Sequence, residues 1–193
     1  MGATQIHQSE LILGGQKSGK SKRAEELARF WLDASQSHCA AIIATAQVFD
    51  GEMQSRVDRH RELRAQTIPE VIAIEEALHI GEMIVRHSSP EKLIILDCLT
   101  VWLTNLLMPH PDLAAVGQID AENEVRLFLH ALEHAKGPVV LVSNEIGLGV
   151  IPMGRETRHF VDELGRLNQR VAEVCAAVTL MVAGIPIKVK RPA

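Results

Sequence analysis

The sequence predicts an α/β protein with a mostly parallel sheet and helices on both faces. Short apolar runs alternate with longer helical patterns along the chain, as parallel strands joined by crossover helices require. The runs are near-continuous in Leu, Ile, Val and Ala, which is how strands covered on both faces read. The first run leads into Gly14-Gly15-Gln16-Lys17-Ser18-Gly19-Lys20-Ser21 and then into a helical pattern. That strand–loop–helix setting is the context of a phosphate-binding loop.

Taken in order, the first strand covers 11–13, and the helix fed by the glycine-rich loop covers 20–31. A second strand at 40–44 precedes Asp50, a residue suited to cap a helix over 51–63. Strands at 71–74 and 93–96 enclose a helical pattern over 75–86. A short helix at 100–107 gives way to 109–117, where two Pro and one Gly mark a surface loop. A helix over 121–136, a strand at 139–142, a helix over 160–176 and a strand at 178–182 follow. The tail alternates Ile185, Ile187 and Val189 with Pro186, Lys188 and Lys190, the pattern of an edge strand. No linker divides the chain, so residues 1–193 are expected to form a single domain.

Composition narrows the function. With 20 basic against 24 acidic residues, the net charge of −4 argues against a protein that coats nucleic acid or an anionic membrane. Four Phe, two Trp and no Tyr leave no stacking platform for single strands. Cys39, Cys98 and Cys175 are widely spaced and form no C-x-x-C pair, so neither a disulfide framework nor a cysteine zinc site is expected. The N-terminal residues lack the basic and apolar regions of a signal peptide. The longest apolar stretch, 93–108, is broken by Asp97 and Asn105. It is too short for a membrane span, and a cytoplasmic setting is expected.

The complete G-x-x-x-x-G-K-S segment carries the strongest chemistry. Its glycines let backbone amides turn inward at a helix N-terminus and hold an anion. Lys20 supplies a point charge for the β- and γ-phosphates, and Ser21 a hydroxyl for Mg²⁺. The apolar run ending in Asp97 provides the strand-end carboxylate that accompanies such a loop near the metal. Asp97 could equally cap the helix that follows, and the two roles are compatible. In the helical pattern over 51–63, Met53, Val57, His60 and Arg64 share one stripe with Arg56 beside it. Imidazole is a competent nucleophile and guanidinium a phosphate partner. Alone, however, this stretch reads as a solvated basic surface helix.

Further motifs stand in a fixed order along the chain. After the loop come Ala44-Thr45-Ala46-Gln47, Asp50, Glu52-Met53, Arg56, then His60-Arg61 with Arg64, then Leu96-Asp97-Cys98-Leu99-Thr100-Val101-Trp102. Asn144-Glu145-Ile146-Gly147-Leu148-Gly149-Val150-Ile151-Pro152 and Gly165-Arg166-Leu167-Asn168-Gln169 close the series. From about residue 10 to residue 190 the chain resembles the bifunctional adenosylcobinamide kinase / adenosylcobinamide-phosphate guanylyltransferase family of cobalamin biosynthesis. The resemblance implies a P-loop NTPase-type, RecA-like fold in a homotrimer. It implies phosphorylation of adenosylcobinamide with ATP or GTP, then GMP transfer from GTP to adenosylcobinamide phosphate. His60 would carry the GMP, and Lys20 would serve both reactions. Nucleotide contacts would fall on Gly14, Gly15, Gln16, Lys17, Ser18, Gly19, Lys20 and Ser21, and on Thr45, Ala46 and Gln47. Others would fall on Arg61, Glu62, Leu63 and Arg64, and on Glu75 and Asp97, with Mg²⁺ held by Ser21 and Asp97.

Two other readings stay open on the residues alone: a small-molecule P-loop kinase without guanylyl transfer, and a nucleotide-binding switch without substrate chemistry. The C-terminal Asn-Glu-x-Gly-x-Gly stretch is needed by neither. Asn144, Glu145, Arg158 and Asn168 are expected at a second-substrate or intersubunit site, because open α/β sheets bind ligands beyond the carboxyl ends of their strands. His159 is expected to line or support the corrinoid site. His130 and His134, four apart on a helix, are expected on a solvated face, and Cys98 and Cys175 in the core.

Overall fold

A computed structural model describes residues 4–47, 67–114 and 119–191. Seven strands form one sheet in the order β3-β2-β4-β5-β1-β6-β7, all pairs parallel except the antiparallel β6–β7. The strands are β1 (Ser9–Gly14), β2 (Cys39–Ala44), β3 (Ile72–Glu75), β4 (Lys92–Asp97), β5 (Val139–Val142), β6 (Ala177–Val182) and β7 (Ile185–Lys190). Helices α1 (Lys20–Ala34), α2 (Ile80–His87), α3 (Leu99–Leu107), α4 (Pro111–Ala114), α5 (Ala121–Glu133) and α6 (Arg155–Val174) connect them.

The apolar runs explain the layering. On one face Leu11, Ile43, Ile94, Leu96 and Leu141 pack against α2, α3, α5 and α6, around Trp102 and Phe128. Those two rings meet edge-to-face with centroids 5.2 Å apart, and the buried Trp102 Nε1–H donates to Leu78 O at 2.8 Å. On the other face Ile12, Ile42, Ile95, Val140 and Val142 receive Ala24, Leu27 and Ala28 of α1. Helices therefore cover both faces, as the patterning requires.

The local differences have physical causes. The helix expected from residue 75 starts at Ile80, because β3 runs parallel to β2 as far as Ala44↔Glu75. Glu76 Oε1 then accepts from the Leu78 and His79 amides, both at 2.9 Å, making the turn into α2. Helix α6 starts at Arg155, five residues ahead of the expected 160, since 155–159 are exposed and carry no apolar stripe. The proline-rich loop contains one helical turn, Pro111–Ala114, with Pro111 at the first position, where its missing N–H is harmless. β3 was expected to be covered on both faces, yet it is an edge strand with Ile72 64% exposed. The alternating tail is the opposite edge, β7. The expected helix over 51–63 lies outside the described residues. No described helix is long and apolar enough to cross a membrane.

Candidate active site

The chain leaves central strand β1 at Gly14 and enters α1 at Lys20. Gly14 has φ 152°, and a Cβ there would lie 2.5 Å from Ser18 Oγ and 2.6 Å from Met181 O. Gly19, at the N-cap of α1, has φ 102°. Both conformations resist an L side chain, so the glycine spacing is a backbone requirement. Gly15, Gln16 and Lys17 stand exposed at the rim, while Ser18, Gly19 and Ser21 are half-buried. Lys20 is only 8% exposed. Its Nζ donates to Gly14 O at 3.0 Å and to Gly15 O at 2.8 Å. Burial lowers its pKa below 10.5, while the neighbouring Cys98 sulfur and the Asp97 carboxylate act in the opposite sense.

Asp97 ends β4, paired with Ala44 of β2 on one side and Val142 of β5 on the other. Glu75 pairs with Ala44 from the other side of β2, so Glu75 and Asp97 stand level at the carboxyl edge of the sheet. Thr45 follows β2 and is fully buried. Its amide donates to Asp97 O at 3.1 Å. Its hydroxyl donates to Cys98 O at 2.9 Å and accepts from Cys98 N at 3.0 Å. The Thr45 side chain therefore grips the main chain just after Asp97, and half-buried Ala46 and Gln47 follow it in the chain. Arg61, Glu62, Leu63, Arg64 and His60 lie outside the described residues.

Asn105 was legible only as a break in an apolar stretch. In the fold it is buried, and its Nδ2 donates to Thr45 O at 2.9 Å and to Ala77 O at 3.1 Å. Asn105→Ala leaves two buried carbonyls without this donor. At about 1–3 kcal/mol per orphaned group, a loss of about 2–4 kcal/mol is expected. At about 2–4 °C per kcal/mol, the thermal midpoint falls by roughly 5–15 °C. Calorimetry of the variant checks this, and a midpoint within 2 °C of the parent, on the order of 0.5 kcal/mol, would show that the clamp is not needed.

A second support was hidden from the sequence. The β6–β7 turn places Ala183 at φ 50° and Gly184 at φ 80°, the two left-handed positions of a tight hairpin turn. The Gly184 amide donates to Ser18 O at 2.9 Å, pinning the loop from the far side. The local signal was Ala183-Gly184 between two strand patterns, which announces a turn but not its partner.

The C-terminal candidates divide. Asn168 is turned inward: its Oδ1 accepts from Ser143 Oγ at 2.7 Å and its Nδ2 donates to Asn144 O at 3.1 Å, locking the end of β5 onto α6. Arg158 Nη1 donates to Pro152 O at 3.0 Å and to Met153 O, tying down the loop between β5 and α6. The Asn144 amide donates to Thr100 Oγ1 at 2.9 Å. His159 is exposed, with Nδ1 3.9 Å from Glu163 Oε1. His130 and His134 stack with ring centroids 4.3 Å apart, and no group of three metal-binding side chains occurs among the described residues. Burial pushes the Cys98 thiol to about 11 and the Cys175 thiol to about 12, so both stay protonated at neutral pH.

The glycine-constrained loop, the lysine folded into it and the strand-end carboxylate define a P-loop nucleotide-binding protein of the α/β type. Residues 10–189 match the model of the family described as cobinamide kinase / cobinamide phosphate guanyltransferase, and the chain belongs to that family. It is 41% identical over 182 residues to the bifunctional adenosylcobalamin biosynthesis protein CobP of Pseudomonas aeruginosa, covering 94% of this chain and 96% of the relative. It is 36% identical over 189 residues to the protein named CobU of Escherichia coli, covering 93% of this chain and 98% of that one. Among solved structures, the flagellar accessory protein FlaH of Methanocaldococcus jannaschii superposes with a TM-score of 0.54 at 11% identity. That superposition covers 97% of this chain and 80% of FlaH. A Pyrococcus horikoshii OT3 protein gives 0.53 at 10% identity, covering 97% and 88%. These two likenesses bear on the fold alone.

Proposed function

We propose that this chain is a cytoplasmic bifunctional enzyme that phosphorylates adenosylcobinamide with ATP or GTP and then transfers GMP from GTP to the phosphorylated product. The observation that carries the reading is the family membership of residues 10–189, together with the intact Gly14–Ser21 loop at the carboxyl edge of the sheet. In the kinase step the loop amides and the Lys20 ammonium hold the triphosphate, and catalysis is mainly positioning and charge neutralisation. The Ser21 hydroxyl and Asp97 carboxylate are hard oxygen donors suited to Mg²⁺. Bound there, the ion would neutralise phosphate charge. Gly14 to Ser21, with Thr45, Ala46, Gln47, Glu75 and Asp97, are the nucleotide-facing candidates. Thr45 acts through its grip on the Asp97–Cys98 backbone.

In the second reaction His60 attacks the α-phosphorus of GTP, expelling pyrophosphate, and carries GMP as a phosphoramidate. The phosphate of adenosylcobinamide phosphate then attacks the same phosphorus and releases the imidazole. Arg61 and Arg64 offset phosphate charge beside it, and Glu62 and Leu63 complete that segment. A homotrimer suits the loop after β5, where Leu148 is 82%, Val150 96%, Ile151 76% and Met153 93% exposed. Sedimentation equilibrium should return three times the 21.2 kDa chain mass, and a monomer would refute the trimer.

The test is product analysis with adenosylcobinamide and GTP labelled at either phosphorus. The γ-label should enter adenosylcobinamide phosphate and the α-label its GDP-linked product. Transfer of the γ-label without any α-labelled corrinoid would reduce the chain to a kinase.

A further inference from the structure

We infer that Glu145 is the general base of the phosphoryl-transfer step, taking the proton of the acceptor hydroxyl; this assignment rests on the kinase reading above. Strand β5 lies between the loop strand β1 and the Asp97 strand β4, with Val142 level with Ile12 on one side and Asp97 on the other. The ladder to β1 continues past the end of β5. The Ser143 amide donates to Ile12 O at 3.0 Å and the Glu145 amide to Gly14 O at 3.1 Å. Gly14 O is also the carbonyl that receives the Lys20 ammonium at 3.0 Å. The backbone of Glu145 is thus one shared acceptor away from the group that holds the transferred phosphate.

The side chain continues the odd-numbered series of β5. Val139 and Leu141 belong to the core that packs α3 and α6, and Ser143 bonds to Asn168 of α6. The loop runs instead into α1, on the face of Val140 and Val142. If the alternation of β5 carries on along those backbone bonds, Glu145 falls on the side of the sheet opposite the helix that carries Lys20 and Ser21, the side open to an acceptor. One carboxylate oxygen is already fixed, since Oε1 accepts from the Gly147 amide at 2.8 Å. A Cβ on Gly147 would lie 3.2 Å from that oxygen, so the glycine permits the close approach.

Other carboxylates at this edge have other work. Glu76 caps the start of α2, Asp97 lies level with Val142 of β5 as the metal candidate, and Glu75 stands on edge strand β3. Glu145 makes no ion pair among the described residues. In the step, the acceptor oxygen bonds to the γ-phosphorus as the bridging P–O bond breaks. The nucleoside diphosphate leaves, the hydroxyl proton passes to Glu145 Oε2, and solvent later removes it.

Glu145→Gln keeps an oxygen for the Gly147 amide but cannot take a proton. Kinase kcat should fall about 10²–10³-fold, with the KM for nucleotide moving less than about threefold. The ratio of kinase to guanylyl-transfer rate on pre-phosphorylated corrinoid should fall with it, because the second reaction has no hydroxyl proton to remove. A kinase kcat within threefold of the parent overturns the assignment. So does an equal fall in guanylyl transfer and nucleotide affinity, which marks a residue that only shapes the loop. Absence of γ-phosphoryl transfer by the parent chain instead fails the kinase reading, and this assignment with it.

Discussion

Lys20→Ala lowers the kinase and guanylyl-transfer kcat together, each by about 10²–10³-fold, the usual loss when one preorganised charge donor is removed. On the proposed function both reactions use the one G-x-x-x-x-G-K-S loop of the sequence, so one ammonium would serve two phosphorus atoms. Its position is set by the carbonyls of Gly14 and Gly15. Lys20→Arg should not rescue, because a planar guanidinium does not fit the 8% exposed seat of a compact ammonium. Burial, opposed by Cys98 and Asp97, lowers the pKa of Lys20 below 10.5. The working form is charged, so kcat/KM for nucleotide falls as pH rises, with an apparent pKa below 10.5. Asp97→Asn removes the opposing carboxylate charge and moves that limb lower still. Stability moves the other way. In the window between the lowered pKa and 10.5, the unfolded chain binds more protons at this lysine, so its contribution to stability rises with pH. Steady-state rates and pH–rate profiles decide the matter, and a variant keeping a tenth of the parental kcat would remove Lys20 from the chemistry.

His60→Ala should abolish guanylyl transfer, a loss on the order of 10⁴–10⁶-fold as for other covalent nucleophiles, while adenosylcobinamide phosphate accumulates. With α-labelled GTP the parent should acquire an acid-labile, base-stable label, the signature of a phosphoramidate, and the variant none. The expectation follows from the motif order around His60 and from the family assignment of residues 10–189. Arg59 precedes His60, so no neighbouring histidine can substitute. Label persisting in the variant would move the nucleophile elsewhere.

Legibility followed sequence distance. The Gly14–Ser21 loop was readable because its glycines, lysine and flanks are contiguous, and the structure shows why Gly14 and Gly19 need positive φ. The strand at 139–142 was readable to the residue because all four positions are buried. The start of α2 was not, because long-range pairing with Ala44 holds Glu75 in β3. Asn105 finds its partners 60 and 28 residues away, and a local pattern carries no trace of either. Asn168 was expected at a second-substrate or intersubunit site, and its company gave no sign that tertiary packing makes it a clamp on β5. Glu145 was legible as a polar residue beyond a strand end. Its place beside Gly14 required the sheet order, which sets β5 between β1 and β4.

That sheet order also decides when the phosphate site is completed as the chain is made. β1 and the loop emerge from the ribosome first, yet the neighbours of β1 are β5 and β6, encoded more than 120 residues later. The Ser18 carbonyl waits for Gly184. At about 5–20 residues per second, the growing chain carries an unfinished loop for roughly 8–30 s. Closing contacts over such separations is slow and entropically costly. The loop strand therefore gains its two sheet neighbours only after β5 and β6 have been made, so the loop in its finished setting implies an assembled middle of the sheet.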